Sequence, residues 1–348
     1  MSTASPTAGP TPGPTVTPAV APDTDVPRPR SKAGDPADRF FRGGARGAGA
    51  VVLVTMTLVG VFLSVRAAQA LGDAGWSFVT TSAWEPDSHR FGIAAVLPGT
   101  VLIGVTAITF ALPLALGTAL YITEYAPRRL RRTLVSLVDL MAAVPSVVYG
   151  LWGFFFLQPQ ITGLARWIST YFGWIPVFAV DGADPRDPLA PATVYTSSTF
   201  IAGIVVALMV TPIACSVMRE AFAQAPPGER EGAFALGASQ WGVIRTVVLP
   251  FGKGGIIGGT MLGLGRALGE TIAVVMIISP VFFFQPHILE NGANSVSALI
   301  ALRYGAASPL GMSALMAAGL SLFLMTLVVN FIASSVVARS RSGTGADA

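Results

Sequence analysis

The sequence contains few of the side chains that build metal and redox sites. Its 348 residues include one cysteine, Cys215, and two histidines, His89 and His287. A single cysteine excludes an internal disulfide and a cysteine metal cluster. With so few imidazoles, we expect no histidine-built metal site either. The chain is therefore predicted to bind no metal ion and no cofactor of its own.

Charged residues are scarce as well. They make up 11% of the chain, whereas hydrophobic residues make up 52%. Soluble domains carry roughly a quarter charged residues. Most of the surface of this chain is therefore expected to face lipid. We attribute the net charge of +4 to membrane topology and expect no nucleic-acid partner.

Nucleotide-binding and catalytic motifs are missing from the sequence. No G-x-x-x-x-G-K-S/T stretch occurs, so a phosphate-cradling loop for ATP is excluded. No carboxylate dyad, histidine cluster or nucleophile–base set stands out either. We expect a chain that is not an enzyme, and any ATP on which it depends must be bound by another protein.

Composition divides the chain into three parts. Residues 1–46 are rich in Pro, Ala, Thr, Gly and Ser, and they are predicted to form a disordered cytoplasmic tail. Residues 47–338 hold the apolar runs and form the predicted transmembrane domain. Residues 339–348 are predicted to be a second, short cytoplasmic tail.

Six runs are long and apolar enough to span a bilayer as helices, which takes roughly twenty residues each. The stretch 161–180 is less apolar and contains Trp167, Tyr171 and Trp174, so we interpret it as interfacial or re-entrant. The sequence thus predicts an all-α membrane protein with about six transmembrane helices, at about 47–70, 97–121, 134–157, 199–218, 254–279 and 311–337.

Positively charged residues predict the orientation. If both termini are cytoplasmic, the inner segments hold 16 of the 22 Lys and Arg residues and the outer segments hold 5. Cytoplasmic loops of membrane proteins carry such an excess. The strongest single signal is the cluster of Arg128, Arg129, Arg131 and Arg132, which we also expect to lie near anionic membrane lipid.

Arg266 and Glu270 are the only charged residues between Gly254 and Phe284. Four residues apart, they are expected on one face of a helix near the middle of the membrane. Charged residues at that depth usually face a cavity and have a partner. Arginine suits an oxyanion, and Glu270 is predicted to hold the guanidinium or to ease release of the anion. We prefer this substrate-pathway interpretation to a structural ion pair, which would add little stability.

Glycines recur along the same segment. Small residues spaced by four allow a second helix to approach closely. We interpret them as a helix-packing face, with a second permease subunit as one candidate for the opposing surface. These glycines are Gly255, Gly259, Gly263, Gly265 and Gly269.

A polar segment, 219–253, lies between the fourth and fifth predicted spans. Pro226-Pro227 favour the start of a short helix there, which would present a compact knob to a partner. Leu249-Pro250 are expected to break the chain before the next span begins at Lys253. Pattern alone indicates no more than an amphipathic loop. The residues that we single out are Glu231, Gly232, Ala233, Gly237, Leu249 and Pro250.

This segment resembles the cytoplasmic EAA motif of binding-protein-dependent ABC permeases. Gly232 departs from the family, which usually has alanine there, and Val247 stands where isoleucine is common. The stretch 263–274, GLGRALGETIAV, resembles the phosphate-uptake permeases, and 144–151, VPSVVYGL, is similar to their PstC-type subunit. The resemblance covers roughly residues 47–338.

The resemblance implies a type I ABC-importer permease fold within a larger transporter. Expected partners are a second, homologous permease subunit (PstA-like), a dimeric ATPase that uses the ATP (PstB-like) and an extracytoplasmic phosphate-binding protein (PstS-like). It further implies that Arg266 and Glu270 are needed for phosphate translocation and that the loop around Glu231 contacts the ATPase. The expected location is the cell membrane.

Two alternatives stay open. A permease for another oxyanion, such as sulfate or molybdate, would share the architecture. A secondary anion transporter would use Glu270 as a proton carrier. Such transporters usually have inverted repeats with broken helices, which the sequence does not reveal, and they have no need of the loop motif.

Overall fold

The computed structural model describes residues 36–181, 183–187 and 189–341. In chain order the helices are α1 (Pro36–Ala74), α2 (Ser77–Thr80), α3 (Val96–Leu120), α4 (Arg128–Ala143), α5 (Ser146–Trp152), α6 (Gln158–Phe172), α7 (Thr199–Ala223), α8 (Pro227–Ala235), α9 (Gln240–Val243), α10 (Leu249–Leu268), α11 (Ile272–Ile277), α12 (Val296–Arg303) and α13 (Pro309–Arg341).

Shorter elements connect these helices. Strands β1 (Trp84–Glu85) and β2 (Arg90–Phe91) pair antiparallel, with Trp84 opposite Phe91. Turns of 3-10 helix occur at Pro86–Ser88, Pro176–Phe178, Ala192–Tyr195 and Tyr304–Ala306. Three π-helical turns extend α3, join α5 to α6 and join α9 to α10; they are Tyr121–Tyr125, Gly153–Leu157 and Ile244–Val248.

The start of α1 differs from the predicted disordered tail. The tail up to residue 35 lies outside the described residues, whereas residues 36–46 are helical. Pro36 suits the first position of a helix, and Ala and Arg are good helix formers. The apolar run that follows lets the helix propagate back into this segment. By contacts, the chain divides into Met1–Thr55 and a larger unit, Met56–Ala348.

Helix α7 is the centre of the larger unit. Ile201, Val205, Val206 and Val210 on this helix are each 0% exposed. The face of α3 that is buried carries mostly small residues at four-residue spacing: Ile103, Ala107, Ala111, Ala115 and Ala119. Small side chains allow two helix backbones to come close, so the α3–α7 contact is tight.

Glycines of α10 produce a second close contact with α7. A Cβ atom added at Gly255 would lie 2.1 Å from the Cβ of Ala221. One added at Gly263 would lie 2.6 Å from Cγ1 of Val210, and one at Gly259 would lie 2.9 Å from the carbonyl oxygen of Ala214. These three glycines therefore pack against a helix of their own chain.

The third predicted span, 134–157, is not a single straight helix. Helix α4 and the helix Ser146–Phe172 meet at an angle of 90°. Pro145 disfavours helical backbone at Val144, which is extended. The Tyr149 hydroxyl closes the bend by donating to the Met141 carbonyl at 3.0 Å. The apolar stretch after the bend reaches Phe172, so much of 161–180 is part of this helix.

The fifth predicted span, 254–279, has different bounds. One continuous helix runs over Gln240–Leu268 and then stops. Leu249-Pro250 do not break it, contrary to the prediction. Pro250 follows the π-helical turn Ile244–Val248, and such a widened turn leaves room for a residue that has no N–H to donate.

The number of spans agrees with the prediction. Within the described residues, five helices are long and apolar enough to cross a membrane, and counting the bent pair as one span brings the number to 6. The all-α, multi-span prediction is confirmed, whereas the cytoplasmic location of the termini stays a prediction.

The polar segment 219–253 contains a short helix with a specific end. The N–H of Gly237 donates to the Phe234 carbonyl at 2.9 Å, and the N–H of Ala238 donates to the Ala233 carbonyl at 3.0 Å. This pair of bonds is a Schellman motif. It requires the left-handed backbone of Gly237, whose φ is 85°. The next turn begins at Ser239, whose hydroxyl accepts from the Gly242 N–H at 3.2 Å.

The α7–α10 contact predicts a difference between two neighbouring glycines. Gly255→Ala places a methyl group on Ala221, and overpacking of this kind costs about 1–3 kcal/mol. Gly258→Ala meets nothing within 4 Å and serves as the control. Thermal unfolding in detergent should show a lower midpoint for Gly255→Ala only. Equal midpoints for the two variants would contradict the close contact.

The Schellman motif predicts opposite effects at two glycines of the polar segment. Gly237→Ala forces a side chain into left-handed backbone, at a cost of about 1–2 kcal/mol. Gly232→Ala lies in a helix with open space around it, so it should stabilise α8 by about 0.5–1 kcal/mol. Hydrogen exchange of the α8 amides measures both effects. Faster exchange in Gly232→Ala than in the wild type would contradict the predicted stabilisation of α8.

Candidate substrate path and coupling loop

Arg266 and Glu270 do not form the predicted pair. Helix α10 ends at Leu268, so the relation of one helical turn between the two residues is lost. Both residues are described, and no ion pair joins their side chains. Gly269 is the residue at which the helix ends, because glycine is a poor helix former and no side chain braces the turn. The prediction of one shared helix face was wrong.

Glu270 is held by the protein at the break between α10 and α11. Its residue is 8% exposed, and its Oε1 atom accepts from the Ala273 N–H at 3.3 Å. Its backbone carbonyl accepts from the Ser297 hydroxyl of α12 at 2.7 Å. The carboxylate thus caps the first turn of α11, while Ser297 satisfies a carbonyl that has left the helix.

Protein covers the α11 side of the break, whereas Gly269 itself is exposed. A Cβ atom added at Gly150 of α5 would lie 3.0 Å from the Cα atom of Ala273 in α11. Irregular backbone at membrane depth is tolerated where protein surrounds it or where it lines a water-filled cavity. The tight fit of α5 against α11 supplies such a surrounding.

Arg266 is exposed on the surface of the chain. One turn before it, Gly263 contacts Val210 in the middle part of α7, and just after it Leu268 contacts Gly104 of α3. Arg266 therefore lies at the depth of the spanning helices. A guanidinium in hydrocarbon is costly, so it requires a polar or aqueous environment that this chain alone does not enclose.

The other two predicted packing glycines lie near Arg266 and are not close-packed. A Cβ atom at Gly265 would lie 3.7 Å from Oδ1 of Asn330, and one at Gly269 would meet only carbonyl oxygens of α10, at 3.7 and 3.9 Å. All three distances are ordinary contacts. Gly265 thus lies opposite α13 and Gly269 meets only its own helix, so neither makes the close contact seen at Gly255, Gly259 and Gly263.

The segment 219–253 presents an exposed knob. Glu231 and Gly232 are exposed, and Ala233 is partly buried. Around them three apolar side chains face outwards: Phe234 is 46% exposed, Leu236 is 91% exposed and Trp241 is 57% exposed. Exposed apolar groups of this kind mark interaction surfaces. The predicted residues Glu231 to Gly237 are thus brought together on one accessible helix and turn, which we call the coupling loop, Pro226–Trp241.

Leu249 and Pro250 do not belong to that knob. They lie at the start of α10, where Leu249 packs on a cluster that includes Met218 and Phe222 of α7. Their position links the coupling loop to the packed helices. The sequence placed them in the same motif, but Leu249 packs on the core of this region, whereas Pro250 is exposed at the start of α10.

Two groups of contacts were not anticipated from the sequence. Arg230 forms an ion pair with Glu124, at 3.0 Å. On other loops, His287 lies 3.2 Å from Glu290 and 3.5 Å from Asp181, which is highly exposed. Arg230 lies 106 positions from Glu124, and Asp181 is similarly distant from His287, so no local pattern could have revealed these two contacts. The expectation that the chain binds no metal stays a prediction.

Comparison with known proteins identifies close relatives. Phosphate transport system permease protein PstC 2 of Mycobacterium tuberculosis is 37% identical over 310 residues, which cover 88% of this chain and 93% of that protein. Phosphate transport system permease protein PstC of Xylella fastidiosa is 35% identical over 318 residues, covering 91% of this chain and 95% of that protein.

A solved structure has a similar fold. A crystal structure of a bacterial alginate ABC transporter, in complex with an alginate pentasaccharide-bound periplasmic protein, contains a chain that matches with a TM-score of 0.54 and 17% identity. The match covers 86% of this chain and 95% of that one. At this identity the similarity concerns the fold alone.

The family assignment follows from these matches. Residues 111–342 match the family model described as binding-protein-dependent transport system inner membrane component. This region includes both the coupling loop and the break after α10, and the multi-pass helical fold agrees with it. The chain therefore belongs to the family of binding-protein-dependent transport system inner membrane components, together with the PstC-type permeases.

Proposed function

We propose that this chain is a membrane-spanning permease subunit of an ATP-driven importer and that it translocates inorganic phosphate. Its relatives are named as phosphate transport permeases and match it over most of its length. The observation that carries the proposal is the exposed guanidinium of Arg266 at the depth of the spanning helices. That group requires an anionic or aqueous partner, and a migrating phosphate would supply one.

The exposure of Arg266 also indicates which partner subunits are needed. Because Arg266 is exposed on this chain, a pathway around it needs a second wall. A homologous permease (PstA-like) would supply that wall. An extracytoplasmic phosphate-binding protein (PstS-like) would deliver the anion, and a dimeric ATPase (PstB-like) would bind the ATP and contact the coupling loop. The acidic residue Glu231 and the apolar side chains beside it are the surface offered to that ATPase.

Glu270 has a positioning role in this proposal. One oxygen of its carboxylate accepts from the first turn of α11, and no ion pair joins it to Arg266 in the described residues. It fixes the backbone at the end of α10, where Arg266 is carried. The secondary-transporter alternative gains one observation, the broken helix at Gly269, but it does not account for an exposed coupling loop.

Energy source and cargo are tested together in proteoliposomes that contain the purified complex of both permeases and the ATPase. With loaded binding protein outside and ATP inside, we expect phosphate uptake that continues after an uncoupler collapses the proton gradient. Excess unlabelled sulfate or molybdate should not compete. Uptake that needs the gradient and not ATP would support the secondary transporter, and competition by sulfate would change the cargo.

The role of Arg266 predicts a charge-specific loss. A charge-assisted hydrogen bond contributes about 1.5–3 kcal/mol, so Arg266→Gln should reduce phosphate uptake by roughly tenfold to a hundredfold. Arg266→Lys, which keeps the charge, should lose less. Arg66→Gln is the matched control, because Arg66 is also exposed on a spanning helix but lies over the ring of Phe62. Full uptake by Arg266→Gln would remove Arg266 from the pathway.

A further inference from the structure

Glu124 is a carboxylate buried where α3 ends. It lies in the π-helical turn Tyr121–Tyr125, and its side chain is only 3% exposed. Burial of an unpaired carboxylate is strongly unfavourable, so such groups are kept only with a partner. Here both carboxylate oxygens accept from Nη1 of Arg230, at 3.1 and 3.0 Å.

Arg230 joins this carboxylate to a second spanning helix. Its Nη2 atom donates to the carbonyl of Phe222 at 2.7 Å, and Phe222 belongs to the last turns of α7. Gln240, the first residue of α9, adds bonds from Nε2 to the carbonyl and carboxylate of Glu124, at 3.3 and 3.5 Å. We call Glu124, Arg230, Gln240 and the Phe222 carbonyl the joint.

The joint is the main connection between α8 and the spanning helices α3 and α7. All nine residues of α8 are described, and none of them is buried. Helix α8 therefore has no apolar core of its own against the membrane helices. A displacement of α8 either carries α3 and α7 with it through the joint or separates the joint and leaves a buried carboxylate unpaired.

Neighbouring residues of α8 face different surroundings. Arg230 is half-buried and reaches inwards to α3 and α7, whereas Glu231 is exposed. One side of the helix is thus open to a partner while the other is tied to the chain's own spanning helices. This arrangement suits an element that receives a force on one side and passes it on from the other.

We propose that Glu124 and Arg230 are positioning residues that transmit movement of the coupling loop to α3 and α7. The proposal rests on the proposed function, because it takes the ATPase to act on α8. The joint fixes α8 to the ends of both helices, so closure of the ATPase shifts them as one body. Without the joint, α8 moves while the spanning helices lag behind.

The test compares hydrolysis and transport in the assembled transporter. In Glu124→Gln the volume is kept and the charge is removed. ATP hydrolysis should persist, while phosphate taken up per ATP should fall about tenfold, within the range of coupling between linked sites. Arg230→Lys, which keeps the charge but has no second nitrogen for the Phe222 carbonyl, should fall less. Glu220→Gln, an exposed carboxylate on α7 outside both the coupling loop and the joint, is the control and should match the wild type.

A merely structural joint gives a different result. Uptake and hydrolysis would then fall in parallel with the amount of folded complex, and the ratio of the two would stay at the wild-type value. An unchanged ratio in Glu124→Gln overturns the proposal.

A second readout does not depend on the cargo. Hydrogen exchange of the α8 amides should accelerate in Glu124→Gln and not in Glu220→Gln. Exchange in Glu124→Gln that stays at the wild-type rate also overturns the proposal. If the wild-type complex transports no phosphate at all, the proposed function fails, and the exchange result still decides whether Glu124 holds α8.

Discussion

The close approach of α3 and α10 to α7 is the contact on which the rest of the structure depends. Within a bilayer the hydrophobic effect does not drive helices together, because lipid is as apolar as their side chains. Helix association therefore relies on packing and on hydrogen bonds between helices. Small residues provide that packing here: alanines of α3 on one side of α7 and Gly255, Gly259 and Gly263 of α10 on the other. Because α7 is fixed between α3 and α10, elements bonded to its ends, such as α8 through Arg230, are held in a defined position.

Three charged residues near the membrane region, Glu124, Glu270 and Arg266, have different environments, and each environment has a different consequence. Glu124 is buried and paired with Arg230, which ties the coupling loop to the helix ends. Glu270 is buried and bonded to backbone, which shapes the break after α10. Arg266 is left exposed. Of these three groups, Arg266 is the one with no bond to the described residues, so it is the one that needs an external partner.

The sequence predicted what depends on composition and missed what depends on geometry. Hydropathy located the apolar segments, and the coupling-loop residues Glu231 to Gly237 do fall on one exposed element. Hydropathy does not register backbone breaks, so the end of α10 at Gly269 was placed inside the predicted span 254–279. The predicted break at Pro250 does not occur, because the preceding π-helical turn accommodates the proline within a continuous helix. The Glu124–Arg230 pair spans 106 positions and leaves no local signal.

On the proposed function, the same packing explains how a movement at the coupling loop reaches Arg266. The joint ties α8 to α3 and α7, and the glycine contact ties α7 to α10, on which Arg266 is carried. Each contact is too tight to slide freely, because added atoms at Gly255 or Gly263 already collide with α7. The helices should therefore shift as a body, and the flexible element is the break at Gly269. A displaced α10 then changes what the guanidinium faces, while Glu270 and Ser297 hold the backbone beyond the break in place.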